Sequence, residues 1–299
     1  MFRLISCYWI HLNSLYIGED MFHIDLMKAD DFSFAVRLAN SMNWNVTTKD
    51  FALMSSIEPF GCFVLYDNKE KLGISTCVSY DGIGWFGNFI IKEGYRNKGA
   101  GSFLLQTSLT YLRNKGVQTI GLYSYPELIG FYKKFGFRVD YDVIVFQGVP
   151  SLLIKNHGVE LAQKKDFSRL LDFDKKCLGF SRFKTLYPIF IDKNNFTYFS
   201  IQNDLLNGFV VTKIFNKQAE VGPLVFKPSQ EALAIDLLKF ALSNLSHFEV
   251  FIYVPKKNEE FKRILLKSGL KERLTLVRML LGSSVNKNIL YLPESLERG

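Results

Sequence analysis

Along the chain the spacing of apolar positions switches between alternation, which suits strands, and a three-to-four-residue recurrence, which suits helices. His23–Leu26 reads as a strand, followed by a helix from about Asp31 with Asp30 as its N-cap. Asn45 to Thr48 forms a turn into a second helix that runs through Ile57 and stops at Pro59. Two strand-like runs, Cys62–Tyr66 and Leu72–Tyr80, flank the polar turn Asp67 to Lys71 and predict a hairpin. Trp85–Ile91 is the next strand, and Ser102–Arg113 carries Phe103, Leu104, Leu109 and Leu112 at helical spacing. Thr119–Tyr123, Leu128–Phe135 and Val139–Phe146 add a strand, a short helix and a closing strand.

The same rhythm then starts again. LMKADDFS at Leu26 to Ser33 matches LAQKKDFS at Leu161 to Ser168, an offset of 161 − 26 = 135. Lys92 and Lys227 stand at that offset too, and the helix-ending glycines Gly136 and Gly269 differ by 133. Three anchors at nearly one spacing predict an internal repeat. The reading is an N-terminal extension over 1–20, a first domain over 21–148, a linker over 149–158, and a second domain of the same fold over 159–299. The extension begins on apolar residues, but His11, Asn13 and Ser14 interrupt them and no small-residue cleavage site follows. Met21 opens the first strand, so 1–20 reads as an added segment or the product of an upstream start codon.

Composition narrows the function. Of 299 residues, 48% are hydrophobic and 22% charged, which is globular and ample for two cores rich in the 28 phenylalanines and 14 tyrosines. A net charge of +8 favours anionic ligands, yet no Lys/Arg run exceeds two residues and no basic-aromatic stripe occurs, which counts against nucleic acid. No run reaches the length of a membrane-spanning helix. The four cysteines lack metal-ligand or redox-pair spacing. Cys62 and Cys77 sit in apolar strands and read as buried free thiols, a pattern that suits a reducing cytoplasm.

One stretch carries chemistry. From Gly84 to Leu112 a strand runs into Arg96-x-x-Gly99-x-Gly101, and a helix starts at once. Glycines let successive N–H groups point into one concavity, and the helix N-terminus adds its positive dipole end, so a pyrophosphate fits there with Arg96 and Lys98 at its rim. A Walker loop would need Lys-Ser/Thr after its last glycine. A dinucleotide fingerprint would need three spaced glycines and an acid ending the next strand, and Thr119–Tyr123 ends in none. The plain alternative is a glycine-rich turn between strand and helix.

Downstream lies Phe131-Tyr132-Lys133-Lys134-Phe135-Gly136-Phe137. R-x-x-G-x-G followed some thirty residues later by F-Y-x-x-x-G-F resembles the GNAT superfamily of N-acetyltransferases. The resemblance covers most of Met21–Phe146, including Asn43-Trp44-Asn45 and Gly61 to Leu65, and extends to a branch with a second, degenerate acetyltransferase-like domain. It implies an α/β (α+β) fold of two tandem domains, each a mixed, mostly antiparallel sheet flanked by helices. It implies acetyl-coenzyme A as cofactor. Phe89, Ile90 and Ile91 would then bond the pantetheine arm, and a backbone N–H at Ile91 or its neighbour would polarise the thioester carbonyl. Arg96, Asn97, Lys98, Gly99, Ala100, Gly101 and Ser102 would hold the pyrophosphate, and Tyr132 would protonate the departing thiolate. Tyr132 has an alternative reading as packing for the last helix. The chain departs from the family with Asn97 where glycine is frequent, Ala100 where a bulkier apolar residue is common, and Tyr125 where many members have asparagine.

An acceptor pocket is expected between the first two helices and the sheet, lined by Trp44, Asn45, Tyr80, Trp85 and Asn88, which read equally well as core. Asp81, Glu93 and Glu127 are candidate bases for the amine, each readable as a surface acid; a water chain would also serve. The acceptor is expected to be a small primary amine such as an amino acid, polyamine or aminosugar. A protein N-terminus or lysine is a second reading, a non-catalytic coenzyme-binding regulator a third, and a homodimer is left open. The second domain has no glycine over Pro228 to Leu233 and no hydroxyl over Lys262 to Lys267, which predicts that it binds no coenzyme.

Overall fold

A computed structural model describes residues 22–152, 154, 158–202, 205–227, 230–283 and 290–299; the expected extension, Cys7 and part of the expected linker lie outside these. The first series of elements is β1 (Phe22–Leu26), α1 (Phe32–Asn40), α2 (Thr48–Ile57), β2 (Cys62–Asp67), β3 (Glu70–Tyr80), β4 (Ile83–Ile91), α3 (Ala100–Asn114), β5 (Thr119–Ser124), α4 (Ile129–Lys133) and β6 (Arg138–Gly148). The second is β7 (Val159–Leu161), α5 (Phe167–Leu178), α6 (Phe183–Ile191), β8 (Phe196–Gln202), β9 (Leu205–Phe215), β10 (Gln218–Phe226), α7 (Glu231–Ser243), β11 (Glu249–Pro255), α8 (Glu259–Lys267), β12 (Lys271–Leu281) and β13 (Leu290–Leu292). Both series build a mixed, mostly antiparallel sheet architecture with flanking helices.

The repeat holds bond for bond. Met27 N donates to Cys62 O and Ala162 N to Thr197 O, both at 2.8 Å. Lys92 N donates to Leu72 O at 2.8 Å, and Lys227 N to Asn207 O at 2.9 Å. Every residue in the second pair of each set lies 135 beyond its counterpart. Gly73 and Gly208 are equivalent as well: a Cβ on Gly73 would meet Ile90 O at 2.7 Å, and one on Gly208 would meet Val225 O at 2.9 Å. Both positions therefore require glycine for close approach of neighbouring backbone.

The helix cap departs from expectation by one residue. A single 3-10 turn, Ala29–Asp31, precedes α1, and Asp31 rather than Asp30 accepts the Lys28 N–H, at 2.8 Å. Asp31 is the third residue of that turn, and its carboxylate reaches back to the Lys28 amide as one half of a capping box. The repeat places Asp166 likewise, accepting Gln163 N at 2.7 Å. Asp166→Ala is expected to cost about 1 kcal/mol, read as a fall of a few degrees in thermal midpoint. The exposed neighbour Lys165→Ala should leave the midpoint in place.

Compact units and repeat do not share borders. One unit takes residues through 79 together with 84–117, and the other takes 80–83 and 118–299. The first orders its strands β1-β2-β3-β4 and buries Leu65, Ile74, Leu105 and Leu112 completely. Ser75 Oγ meets Ser108 Oγ at 2.9 Å, fixing α3 on β3.

The second unit orders its strands β5-β12-β6-β11-β10-β9-β8-β7. Its pairs are antiparallel except β10 with β11. Here each repeat lends a strand to the other. β12 of the second series lies between β5 and β6 of the first, and β6 lies between β12 and β11. The sequence reading closed the first domain on β6. The structure instead makes β6 an interior strand, with Val143, Ile144, Val145 and Phe146 buried. Among the described residues no helix is long and apolar enough to cross a membrane.

Candidate active site

The loop between β4 and α3 is built around two left-handed residues, Asn97 (φ 61°) and Gly99 (φ 87°). Gly99 is the N-cap and α3 begins at Ala100, two residues earlier than its apolar periodicity indicates. Ala100, Gly101 and Ser102 thus form the first helical turn, whose N–H groups have no partner within the helix. The first intrahelical donation there is Phe103 N to Gly99 O, at 3.0 Å. Upstream, Arg96 N is consumed by Glu93 O at 3.1 Å. Among the described residues no acceptor takes the amides of Asn97 to Ser102. A Cβ placed on Gly99 would find nothing within 4 Å, so there is open space beside the loop at that residue. Uncommitted amides at a helix N-terminus suit an anion.

The cations at the rim divide their work. Arg96 donates its Nε to Ile91 O at 2.9 Å and reaches Met42 Sδ, so it ties the loop back to the end of β4. Lys98 lies over the Tyr95 ring, Nζ 5.6 Å from its centroid. The Tyr95 hydroxyl in turn donates to Glu70 at 2.8 Å, beside the Lys92–Glu70 ion pair. The Lys92 and Tyr95 hydrogen bonds hold the Glu70 carboxyl below its usual range.

β4 brings the next group. Asn88 sits in the strand with φ 48°, a left-handed conformation that interrupts the pleat. Its side chain is buried and donates Nδ2 to Thr76 Oγ1 at 3.1 Å, leaving Oδ1 with no donor among the described residues. A buried carbonyl without a protein donor is costly and can take an N–H or a water hydrogen. Ile90 and Ile91 are buried, and Phe89 is half-buried with its ring 5.2 Å from Phe86. Trp85 is also buried in β4.

Trp44 and Asn45 occupy the α1–α2 turn as expected, Trp44 half-buried and Asn45 exposed with φ 53°. Asn40 closes that turn by taking Val46 N at 2.9 Å and giving to Val46 O at 3.1 Å. Tyr80 falls in the other compact unit. It is fully buried, its hydroxyl 2.6 Å from Thr185 Oγ1 and its ring stacked on Phe180, so it anchors the β3–β4 hairpin tip within that unit. The structure therefore does not group Tyr80 with Trp44, Asn45, Trp85 and Asn88.

Tyr132 also belongs to the second unit, on α4, with its ring edge-on to Phe131 and Phe137. Burial raises its phenol far above the ordinary tyrosine range, which keeps it a proton donor. Leu265 holds the same place in the second repeat. Phe137 N donates to Tyr132 O at 3.3 Å, and Leu270 N to Leu265 O at 3.1 Å, an offset of 133. Of the three candidate bases, Glu93 and Glu127 are exposed, while Asp81 accepts Ser181 N at 3.3 Å. Burial pushes the Cys62 thiol up to about 12 and raises the Cys77 thiol well above its usual range, which suits neither as a nucleophile.

Glu58 escaped the sequence reading. It is buried and accepts Tyr111 Oη at 2.5 Å, Ser79 N at 3.0 Å and Ser79 Oγ at 3.1 Å, with Lys115 Nζ at 3.8 Å. It lies at the end of β3 away from Leu72 and the loop, where it pins the end of α2 to β3 and α3. A glutamate just before a helix-stopping proline carries no signal of burial.

In the second repeat the connection is shorter by four positions. From the last residue of β4 to the N-cap of α3 is 99 − 91 = 8 positions, and from β10 to the N-cap of α7 it is 230 − 226 = 4. The N-cap there is Gln230 with φ −111°.

Known proteins share this arrangement. Residues 29–137 match the family model described as Acetyltransferase (GNAT) family, and residues 170–292 that described as Acetyltransferase (GNAT) domain. A holothin acyltransferase from Pseudoalteromonas sp. (strain SANK 73390) is 25% identical over 242 residues, 80% of this chain and 81% of the relative. A Pyrococcus horikoshii structure carrying an inferred acetyltransferase assignment superposes with a TM-score of 0.79 at 21% identity, over 96% of this chain and 98% of that one. A tandem GNAT protein from the clavulanic acid biosynthesis pathway gives 0.60 at 13% identity, over 88% and 99%.

Proposed function

Because the chain belongs to the GNAT acetyltransferase family, with two such domains in tandem, we propose that its first repeat transfers an acetyl group from acetyl-coenzyme A to the primary amine of a small molecule. The observation that supports this reading is the run of amides from Asn97 to Ser102 with no acceptor among the described residues, at the start of α3 and beside open space at Gly99. They would hold the diphosphate, with Lys98 adding charge and Arg96 keeping the loop in place. Phe89, Ile90 and Ile91 would meet the pantetheine arm along β4, and Asn88 Oδ1 would accept an N–H from the arm or from the acceptor amine. When bound, the coenzyme supplies the acyl group as a thioester. Tyr132 would give its proton to the departing sulfur. Asp81, Glu93 and Glu127 offer no buried base, so the amine proton would pass to water.

An amino acid, polyamine or aminosugar fits the half-buried Trp44 and the donor-starved Asn88. The relative matched over most of its length is named an acyltransferase of holothin, which supports acyl transfer to a small acceptor. The test is calorimetry with acetyl-coenzyme A followed by a thiol-release assay on an amine panel. One coenzyme per chain with turnover of a small amine supports the proposal. Binding without turnover on any small amine or peptide would make the first repeat a coenzyme-responsive module instead, and no binding would sink both readings.

A further inference from the structure

Residues 290–299 have no counterpart in the first repeat, whose plan ends at Gly148, equivalent to Leu281 at the offset of 133. They run along β10. Parallel pairing of β10 with β11 lasts from Gln218 opposite Glu249 to Val221 opposite Ile252, and then stops. Past that point β13 takes the vacated side of β10, pairing Leu292 with Leu224 and Leu290 with Val225, while β9 holds the other side. Gly222 admits the segment, because a Cβ there would lie 2.1 Å from Pro293 O.

Beyond β13 a charged socket closes on the segment. Glu294 is fully buried. Lys213 Nζ meets its Oε1 at 2.8 Å and also bonds its main-chain carbonyl, while Arg298 Nε reaches Oε2 at 2.6 Å. Lys213 is further paired with Glu220 at 3.0 Å. Burial alone would raise the Glu294 carboxyl, but Arg298 and Lys213 hold it well below the usual range. From the α5–α6 turn, Arg182 gives Nη1 to Gly299 O at 3.1 Å while its other nitrogens grip Asp174 at 2.6 and 3.1 Å.

The offset of 135 says where this lies. Leu224 and Val225 are equivalent to Phe89 and Ile90, and Arg182 is equivalent to Thr47 beside the α1–α2 turn. The segment therefore lines the equivalents of the strand and the helix turn where the proposed function places coenzyme and acceptor in the first repeat, a placement borrowed from that reading. We propose that the second repeat keeps this cleft as a peptide-binding site, whose resident ligand is the chain's own glutamate-bearing segment 290–299. Main-chain pairing to β10 supplies affinity, and the Lys213 socket for a single carboxylate supplies register. The closed cleft and the shortened loop then act together to exclude coenzyme from the second repeat. This rests on the equivalence of β4 and β10 and on that placement.

The test uses the full chain and amide hydrogen exchange. Glu294→Gln leaves Lys213 with one carboxylate partner fewer in a buried socket. Amides of 290–299 and of Leu224 and Val225 are expected to exchange at least tenfold faster, with α7 and β8 unchanged. A fluorescent peptide of sequence 290–299 should bind this variant and not the parent chain, and the same peptide with lysine at the Glu294 position should bind neither. Lys213→Met attacks the socket from the other side and should give the same exchange pattern. Unchanged exchange in the segment, an equal rise throughout the second unit, or indifference to the peptide's glutamate would each overturn the proposal. No coenzyme enters these readouts, so their failure is separate from failure of the acetyl-transfer reading.

Discussion

Tyr132→Phe lowers kcat by about 100-fold or more and leaves coenzyme affinity unchanged. The substitution keeps the ring that packs against Phe131 and Phe137 and removes only the hydroxyl, so the thermal midpoint should hold. The pH profile carries a second check. Burial raises the Tyr132 phenol above the ordinary tyrosine value, and an acid works only while protonated. The wild-type rate should therefore show no decline from this group as pH rises through 10, because burial lifts the folded phenol above its ordinary value of 10.0. A variant within twofold of wild-type kcat would leave Tyr132 as a packing residue of α4 and nothing more.

Gly99→Trp abolishes coenzyme binding, with Kd rising more than about 100-fold, the equivalent of about 2.7 kcal/mol. Two effects combine. A β-carbon at φ 87° is strained by about 1–2 kcal/mol, which reshapes the loop and disperses the amides. The indole then fills the space that a Cβ at this position enters without meeting any atom. Gly99→Ala carries the strain without the bulk and should fall between the two. Calorimetry against acetyl-coenzyme A reads the binding, and the melting curve shows that the rest of the first unit stands. Wild-type affinity in the tryptophan variant would mean that the diphosphate lies elsewhere.

The turn from β4 into α3 was legible in the sequence because its geometry is local. Glycine at position 99 is what a left-handed N-cap demands, and the apolar spacing after it announces the helix. The repeat was legible for a similar reason, since Asp31 and Asp166 cap identical turns and their surroundings read alike. The cap itself was misplaced by one residue, because the 3-10 turn Ala29–Asp31 that precedes α1 leaves no mark in the apolar spacing. Partner choice was hidden. An apolar run such as Val143 to Phe146 has the same period whether it closes a domain or lies between two strands of another repeat. Tyr80 looked like its neighbours Trp85 and Asn88, and only the hydroxyl of Thr185, 105 residues away, shows its actual task. Glu58, Lys213 and Glu294 gave no signal in the sequence, because burial of an ion is decided by distant partners.

The interleaving of β6 and β12 has a consequence during synthesis. β6 is complete at residue 148, but the neighbour that separates it from β5 starts only at residue 271. At roughly 5–20 residues per second, the intervening 271 − 148 = 123 residues keep those strand edges waiting for about 6–25 s on the ribosome. A nascent chain in that interval exposes unpaired backbone on both strands, the surface most prone to joining another chain. Cutting the first half free at the linker would remove the partner that β12 gives to β5 and β6. Expressed alone it would lack an interior strand, and yield in the cell should depend on chaperones that shield β5 and β6 until the second half arrives.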